Sequence, residues 1–323
     1  DVIFDGGTIT NHSFSVRGGT KKTKFSANLG YVHDEGVLIT DDFKKYNLKL
    51  KVDTKLSDKF KVGISLTPTF TDRRRFDGSA HDILRQPSWL PLYIDENNIQ
   101  FVNRLRDNGR WANVQIGDYA VQRMFDDYDL VTGQPITTGG TDISNSSNTN
   151  PAAKVLERNR TEERFRLFGS IYVNYKITDD LEFRTSFSGD FEQRNGFRYS
   201  GVLANRNGAD AAFLTTSNLN RIHLVSDNYF TYNHVFNEKH NVNAVAGFST
   251  ETFDTRTQSV TGTGFTSDIS QTLDAATNIS NKSSLQYETT FMSFFGRLNY
   301  AFDDKYLVSL SFRRDGSSIF GPD

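Results

Sequence analysis

The sequence predicts an all-β protein: an antiparallel, up-and-down array of about ten strands that forms a portion of a transmembrane β-barrel. Three observations predict it. Apolar and polar residues alternate through paired segments, as in strands with one apolar face. The apolar set of each segment carries no Lys, Arg, Asp or Glu. Short turns and long connections alternate along the chain, the layout of an outer-membrane barrel with long extracellular loops and short periplasmic turns.

Five hairpins follow in order. The first, at about 12–33, has Phe14 and Val16, a turn at Gly18 to Lys22, then Phe25, Ala27, Leu29 and Tyr31. The second, at about 43–70, sets Tyr46, Leu48, Leu50 and Val52 against Asn47, Lys49, Lys51 and Asp53. After Ser57-Asp58-Lys59 it returns with Phe60, Val62, Ile64, Leu66 and Phe70. The third, at about 164–192, runs through Leu167, Ile171, Val173 and Tyr175, turns at Thr178-Asp179-Asp180, and returns through Leu181, Phe183, Phe187 and Phe191. Glu182 and Arg184 stand on its opposite face. The fourth, at about 222–253, carries Leu224, Phe230, Tyr232 and Phe236, then Val242, Ala244, Ala246 and Phe248; Ser226, Asn228 and His234 are polar exceptions on its apolar side. The fifth, at about 290–314, has Leu298, Tyr300 and Phe302, the turn Asp303-Asp304-Lys305, then Tyr306, Val308, Leu310 and Phe312, with Arg297 and Arg313 opposite.

These strands run roughly 9–12 residues, the length a tilted strand needs to cross a bilayer. A Lys or Arg on a lipid face costs ~2–4 kcal/mol at the midplane, so a charge-free face suits lipid, while a soluble sandwich tolerates stray charges near its strand ends. Tyr175, Tyr232, Phe236, Tyr300, Phe302 and Tyr306 crowd the short-turn end, where an interfacial ring of aromatics belongs. Composition agrees. Of 323 residues, 36% are hydrophobic and 13% aromatic, so the apolar residues are thinly spread. No run of ~18 apolar residues exists to make a spanning helix, and alternating strands leave a low mean hydropathy. A net charge of −2 gives no electrostatic case for nucleic acid. The absence of Cys excludes disulfides and thiolate metal sites.

The segments "NPAAKVLERNRTEERFRLFGSIYVNYKITDDLEFRTSF", "NYFTYNHVFNEKHNVNAVAGF" and "FMSFFGRLNYAFDDKYLVSLSFRRDGSSIFG" resemble barrel segments of the SusC/RagA family of TonB-dependent outer-membrane transporters. "HSFSVRGGTKKTKFSANLGYVHDEGVLITDDFKKYNLKLKVDTKLSDKFKVGISL" resembles an earlier segment of the same barrel. The resemblance covers nearly the whole chain and is weakest from about Thr71 to Asn150. It implies a barrel of about 22 strands, of which residues 1–323 form an internal part, the plug, the TonB-contacting segment and the remaining strands lying outside it. It further implies the outer membrane of a Gram-negative Bacteroidota bacterium and a SusD-like surface lipoprotein as lid. TonB would act through segments outside this chain, and the substrate would be oligosaccharide first and oligopeptide second. A passive porin and a barrel-anchored structural or adhesive surface protein are the alternatives.

No catalytic motif appears: there is no P-loop, no G-x-S-x-G and no H-E-x-x-H, and no cofactor is expected. Asp126, Asp127 and Asp129 offer hard-cation ligands, but Val131 breaks the EF-hand frame, so a solvated acidic loop is expected there. The large loop, about 71–163, holds both tryptophans. Trp89, Tyr93, Trp111 and Tyr119, with Arg73 and Arg75, are the candidates for substrate or lid contact, because flat rings stack on sugars and arginines bond hydroxyls; packing of the loop on itself would use the same rings. Lys49, Lys51, Asp53, Glu182, Arg184, Arg297 and Arg313 are expected to face the lumen.

Overall fold

The computed structural model describes residues 2–78, 83, 90–105, 109, 111–125, 150–204 and 211–320. The strands are β1 (Thr8–Gly19), β2 (Thr23–Glu35), β3 (Asp42–Lys55), β4 (Phe60–Arg74), β5 (Arg158–Lys176), β6 (Leu181–Ser200), β7 (Phe213–Phe236), β8 (His240–Thr263), β9 (Asn278–Phe302) and β10 (Tyr306–Ser317). They form one antiparallel sheet in sequence order. A short helix, α1 (Pro151–Leu156), precedes β5.

Because side chains alternate along a strand, register decides whether neighbouring apolar sets share a face. Here they do. Phe25 pairs with Val52, Val52 with Ile64, Ile64 with Ile171, and Ile171 with Phe187. A second row runs Phe60, Tyr175, Phe183, Phe230 and Ala246. The result is a continuous apolar face across the sheet, and it is uncovered: Phe14 is 66% exposed, Ile171 42%, Phe187 50% and Leu310 62%. The buried apolar residues among those described lie instead in loops, in α1 and at the long-loop ends of strands, for example Ile94, Val155, Leu214 and Phe265. A water-soluble sandwich would bury the sheet face. This sheet presents it outward, as a barrel wall does to lipid.

The polar exceptions on this face are satisfied locally. Thr185 Oγ1 donates to Asn228 Oδ1 at 2.8 Å, and Asn228 Nδ2 donates to Ser226 Oγ at 3.2 Å. His234 Nδ1 lies 3.0 Å from Asp180 at a short turn. Aromatic rings bracket the apolar band. At the short-turn end Phe60 stacks on Tyr175 at 4.5 Å and Phe183 meets Phe230 at 4.8 Å; toward the other end Tyr31, Tyr46 and Phe70 form a second row. From Phe60 to Phe70 along a tilted strand is ~25 Å, the height of a barrel's apolar band.

The short turns are built by their own residues. Ser57 Oγ accepts from the N–H groups of Lys59 and Phe60, and Thr178 Oγ1 from those of Asp180 and Leu181. Asn237 and Glu238, and again Asp303 and Asp304, adopt positive φ between 47° and 56°, closed by N–H bonds from Lys239 to Phe236 and from Lys305 to Phe302. Positive φ at both central positions matches the twist of a hairpin, and Asn and Asp tolerate it best.

The strands outrun their expected ends. The third hairpin spans 158–200 rather than 164–192, the fourth 213–263 rather than 222–253, and the fifth begins at Asn278 rather than near 290. Most of the added residues are polar, on both faces (Asn195, Arg198, Asn218, Gln258, Lys282), so the alternation by which a strand is read is weak there. They lie at the long-loop end, beyond the apolar band, where Tyr199 and Leu214 are buried beneath the loops. The outward side of β10 likewise passes from Phe312 to Arg314 at its far end.

Placing a charge on each face separates the two environments. Ile171→Arg is expected to reduce the folded barrel fraction in outer membranes, at a cost of ~2–4 kcal/mol. Ser188→Arg, on the opposite face of the neighbouring strand, should leave it near wild type. Heat-modifiable migration on a gel reads the folded fraction; equal effects of both substitutions would contradict the assignment of faces.

Candidate functional site

The polar face carries the chemistry. Register places Lys49, Lys51, Asp53, Glu182, Arg184, Arg297 and Arg313 opposite the apolar face, in alternation with its residues. Three of them meet around Tyr172 at the short-turn half, and Asn174 holds Glu182 separately. Tyr172 donates to Asp53 Oδ1 at 2.5 Å, Lys51 Nζ lies 3.4 Å from Asp53, the Arg184 guanidinium sits 4.3 Å over the Tyr172 ring, and Asn174 donates to Glu182 at 2.9 Å. Gly63 makes this possible: a Cβ there would meet the Tyr172 ring at 2.2 Å, so only glycine lets the ring lie across β4. Arg313 is held by Asp315 at 2.8 Å, and Arg297 lines a cleft of about 590 Å³ with Asp227 and Arg313.

Higher on the same face, arginines and carboxylates interlock. Arg164 lies 2.9 Å and Arg221 3.5 Å from Glu192, which is almost fully buried between them. Arg166 grips Asp190 with two donors. His223 bonds Glu251 at 2.6 Å and stacks on Phe253 at 3.9 Å. At the long-loop end Asp77, 4% exposed, receives Arg160 at 3.2 Å and Arg198 at 2.7 Å, while Arg158 bonds its carbonyl at 2.5 Å. A buried carboxylate survives because two guanidiniums compensate it; removal of either partner set would strand charge out of water. Asp77 thus pins the chain leaving β4 onto β5 and β6.

The large loop folds around its own small core: Ile94, Val102, Trp111, Val114, Ala120, Val121 and Met124. Trp111 is only 6% exposed and packs there. Its ring faces are spent on the loop interior, so the expected ligand contact gives way to the packing role. Tyr93 is different. It is 42% exposed and leans on Tyr119 at 5.1 Å between centroids. The Tyr119 hydroxyl donates to Glu157 at 2.7 Å, and burial, then that bond, hold it far above the usual phenol range. Tyr119 therefore stays a protonated tether to the end of α1. Arg75 leaves β4 with its N–H bonded to the Arg160 carbonyl at 3.0 Å, and Arg73 sits on the polar face of β4. Trp89 and the carboxylates Asp126, Asp127 and Asp129 lie outside the described residues.

Two organising residues escape sequence reasoning. Asn150 is 2% exposed; its Oδ1 accepts the Ala152 N–H to cap α1, and its Nδ2 donates to the carbonyls of Leu92 at 3.1 Å and Ala120 at 2.8 Å. The Asn-Pro pair announces the cap, but not the two carbonyls brought from 58 and 30 residues away. Asp268 accepts from the Tyr199 hydroxyl at 2.7 Å and from the N–H groups of Val202 and Leu203, joining the β6–β7 and β8–β9 connections over a core of Tyr199, Ala212, Leu214 and Phe265. A shallow cleft of about 400 Å³ opens on the large loop between Asp95, Asn97, Asn98, Phe101 and Phe125. An exposed ring beside amides and a carboxylate is a surface suited to a sugar's apolar face and hydroxyls. Among the described residues, His33, Glu35 and Asp42 come close enough to share a cation, but Lys44 already lies 3.2 Å from Asp42, so they read as an ion-pair cluster.

Comparison with known proteins gives a consistent pattern. No protein-family model matches the chain. Over 338 residues it is 25% identical to TonB-dependent receptor P26 of Formosa agariphila, covering 100% of this chain and 29% of that protein. It is 23% identical over 345 residues to TonB-dependent receptor SusC of Bacteroides thetaiotaomicron, covering 100% of this chain and 30% of that one. Its fold superimposes on a chain of the RagAB peptide transporter with a TM-score of 0.68 at 19% identity, covering 99% of this chain and 33% of the other. The chain thus spans under a third of the length of the curated relatives it matches. Along that span it resembles TonB-dependent receptors, SusC among them, and its fold is that of a section of such a barrel wall.

The loop architecture carries its own test. Asn150→Ala removes four hydrogen bonds at a buried position, the fourth to the Pro91 carbonyl at 3.5 Å, a loss of ~1–3 kcal/mol for each group left unpaired. The substitution is expected to open residues 90–125 to protease added to intact cells, about tenfold faster than in wild type at ~1.4 kcal/mol per decade. Heat-modifiable migration should be unchanged, since Asn150 touches no strand of the band. Equal proteolysis rates would show that the loop core holds without it.

Proposed function

We propose that this chain forms wall and mouth of a TonB-dependent importer in the outer membrane of a Bacteroidota bacterium, and that the cargo is oligosaccharide. The observation that carries this reading is the combination of an uncovered, charge-free outer face with a charged, hydrogen-bonded inner face, in a chain that resembles TonB-dependent receptors from end to end. In this reading the short turns lie in the periplasm and the long loops outside the cell. A SusD-like lipoprotein closes over the large loop, and substrate is captured between lid and wall. TonB then draws on a plug inside the barrel and opens a path, so the chain's role is transport and not catalysis. The Phe101 cleft and exposed Tyr93 are the mouth groups suited to sugar. Trp89 is a further candidate from sequence.

Oligopeptide is the second reading, favoured by the fold similarity to a chain of the RagAB peptide transporter. Two experiments arrange the alternatives. Deletion of the gene should abolish growth on one class of oligosaccharide and leave growth on its monosaccharides unchanged. Uptake should stop when the proton-motive force is collapsed or TonB is removed. Uptake that continues in de-energised cells would identify a passive pore, and unchanged import in the deletion strain would identify a surface anchor. Loss of growth on peptides alone would select the second reading.

A further inference from the structure

On the polar face between β3, β4 and β5 lies a cleft of about 410 Å³ whose wall holds four cations, Lys45, Arg73, Arg164 and Arg166, and a single carboxylate, Glu162. Two of the cations are already paired: Arg164 with Glu192 at 2.9 Å and Arg166 with Asp190. Lys45 and Arg73 make no ion pair among the described residues, and Arg73 makes none even with Glu162, its register partner across the β4–β5 pair. The hydroxyls of Thr69 and Thr71 fill the floor between them. Four residues along the same face of β3 stands Lys49, also without an ion pair among the described residues, ~13 Å further down the wall.

We propose that this cleft is a subsite for an acidic oligosaccharide, one whose sugars bear carboxylate or sulfate groups. The proposal rests on the import reading above and names the class of substrate. Lys45 and Arg73 receive one anionic group, and Lys49 receives a second further along the chain. The arginine is suited to two parallel bonds to a carboxylate or sulfate edge, while the lysines act as point charges. Asp190 neutralises Arg166, while Arg164 shares the single Glu192 with Arg221 and so leaves one positive charge in excess beside the cleft. Repetition of unpaired cations down one wall matches a polymer with recurring charge better than a peptide with a single terminal carboxylate. The wall also offers a peptide no main-chain recognition. β3, β4 and β5 are each paired on both sides, so no strand edge is free to add another. The intervening hydroxyls suit a sugar's hydroxyls instead.

The test uses the complete receptor purified from outer membranes and four probes in calorimetric titration. They are tetragalacturonate, its methyl ester (the same sugar chain without charge), a sulfated galactan tetrasaccharide, and tetraglutamate. Wild type should bind at least one of the two charged glycans, with affinity falling as salt rises, and the ester at least about tenfold more weakly. The tighter of the two charged glycans assigns the group as carboxylate or sulfate. Lys45→Gln with Arg73→Gln should weaken that glycan at least about tenfold and leave the ester unchanged, while Lys45→Arg with Arg73→Lys should retain most of the binding. Heat-modifiable migration confirms that each variant folds. Equal binding of acid and ester, no binding of either charged glycan, or an unchanged affinity in the Gln variant would overturn the proposal. Selective loss of tetraglutamate would reassign the cleft to acidic peptides and overturn it as well. TonB-independent uptake would remove the import reading while leaving the titrations to decide the subsite.

Discussion

A strand that crosses lipid has nowhere to send its backbone N–H and C=O groups except to the strands beside it. That constraint explains most of this molecule. Pairing on both sides of every strand from β2 to β9 fixes the register, and register combined with period-two alternation fixes which side chains share a face. One slip of one residue between β4 and β5 would turn either Lys61, or Arg166 and Asp190, toward the hydrocarbon. The turns guard against this. Ser57 and Thr178 tie their loops shut with side-chain oxygens, and two turns use paired residues of positive φ, so each hairpin leaves its turn in one register.

Inside, the same alternation delivers charges at every second residue, and the wall must reconcile them at close range. Most are reconciled across strands rather than along them: Tyr172 with Asp53, Arg166 with Asp190, Arg164 and Arg221 with Glu192. Such contacts stitch three or four neighbouring strands at once. Lys45, Lys49 and Arg73 form no ion pair among the described residues and so have capacity to spare, and Arg73 stands at the end of β4 that leads into the large loop.

Much of this was legible in the residues themselves. The faces of all five hairpins follow from alternation in stretches such as Tyr46–Asp53 and Leu298–Phe312, because the band between the aromatic rows is amphipathic in two's. Past Gln193 and Asp254 polar residues take most positions on both faces, and a periodicity that contrasts two environments has little to contrast. The partners of Asn150, Asp77 and Asp268 were invisible for a different reason. Each of the three is one polar residue among many in a loop, and its importance comes from partners 58, 121 and 69 residues away. Trp111 misled through its type: a large flat ring in a polar loop suits ligand contact and loop packing equally, and only burial separates the two. The cleft on the polar face combines three strands, so no single stretch of sequence could display it.

The length of β7 and β8, 24 residues each, has a mechanical meaning. A bilayer consumes about ten residues of a tilted strand, and the rest continue as hydrogen-bonded sheet into water, on the order of 30 Å beyond the lipid surface. That continuation is stiff in a way a loop of equal length is not. It works as a turret: the Asp77 and Asp268 clusters are its battlements, held at a set height and spacing while the bilayer beneath bends and flows. Anything that approaches the barrel from that side meets the rigid rim before it meets lipid.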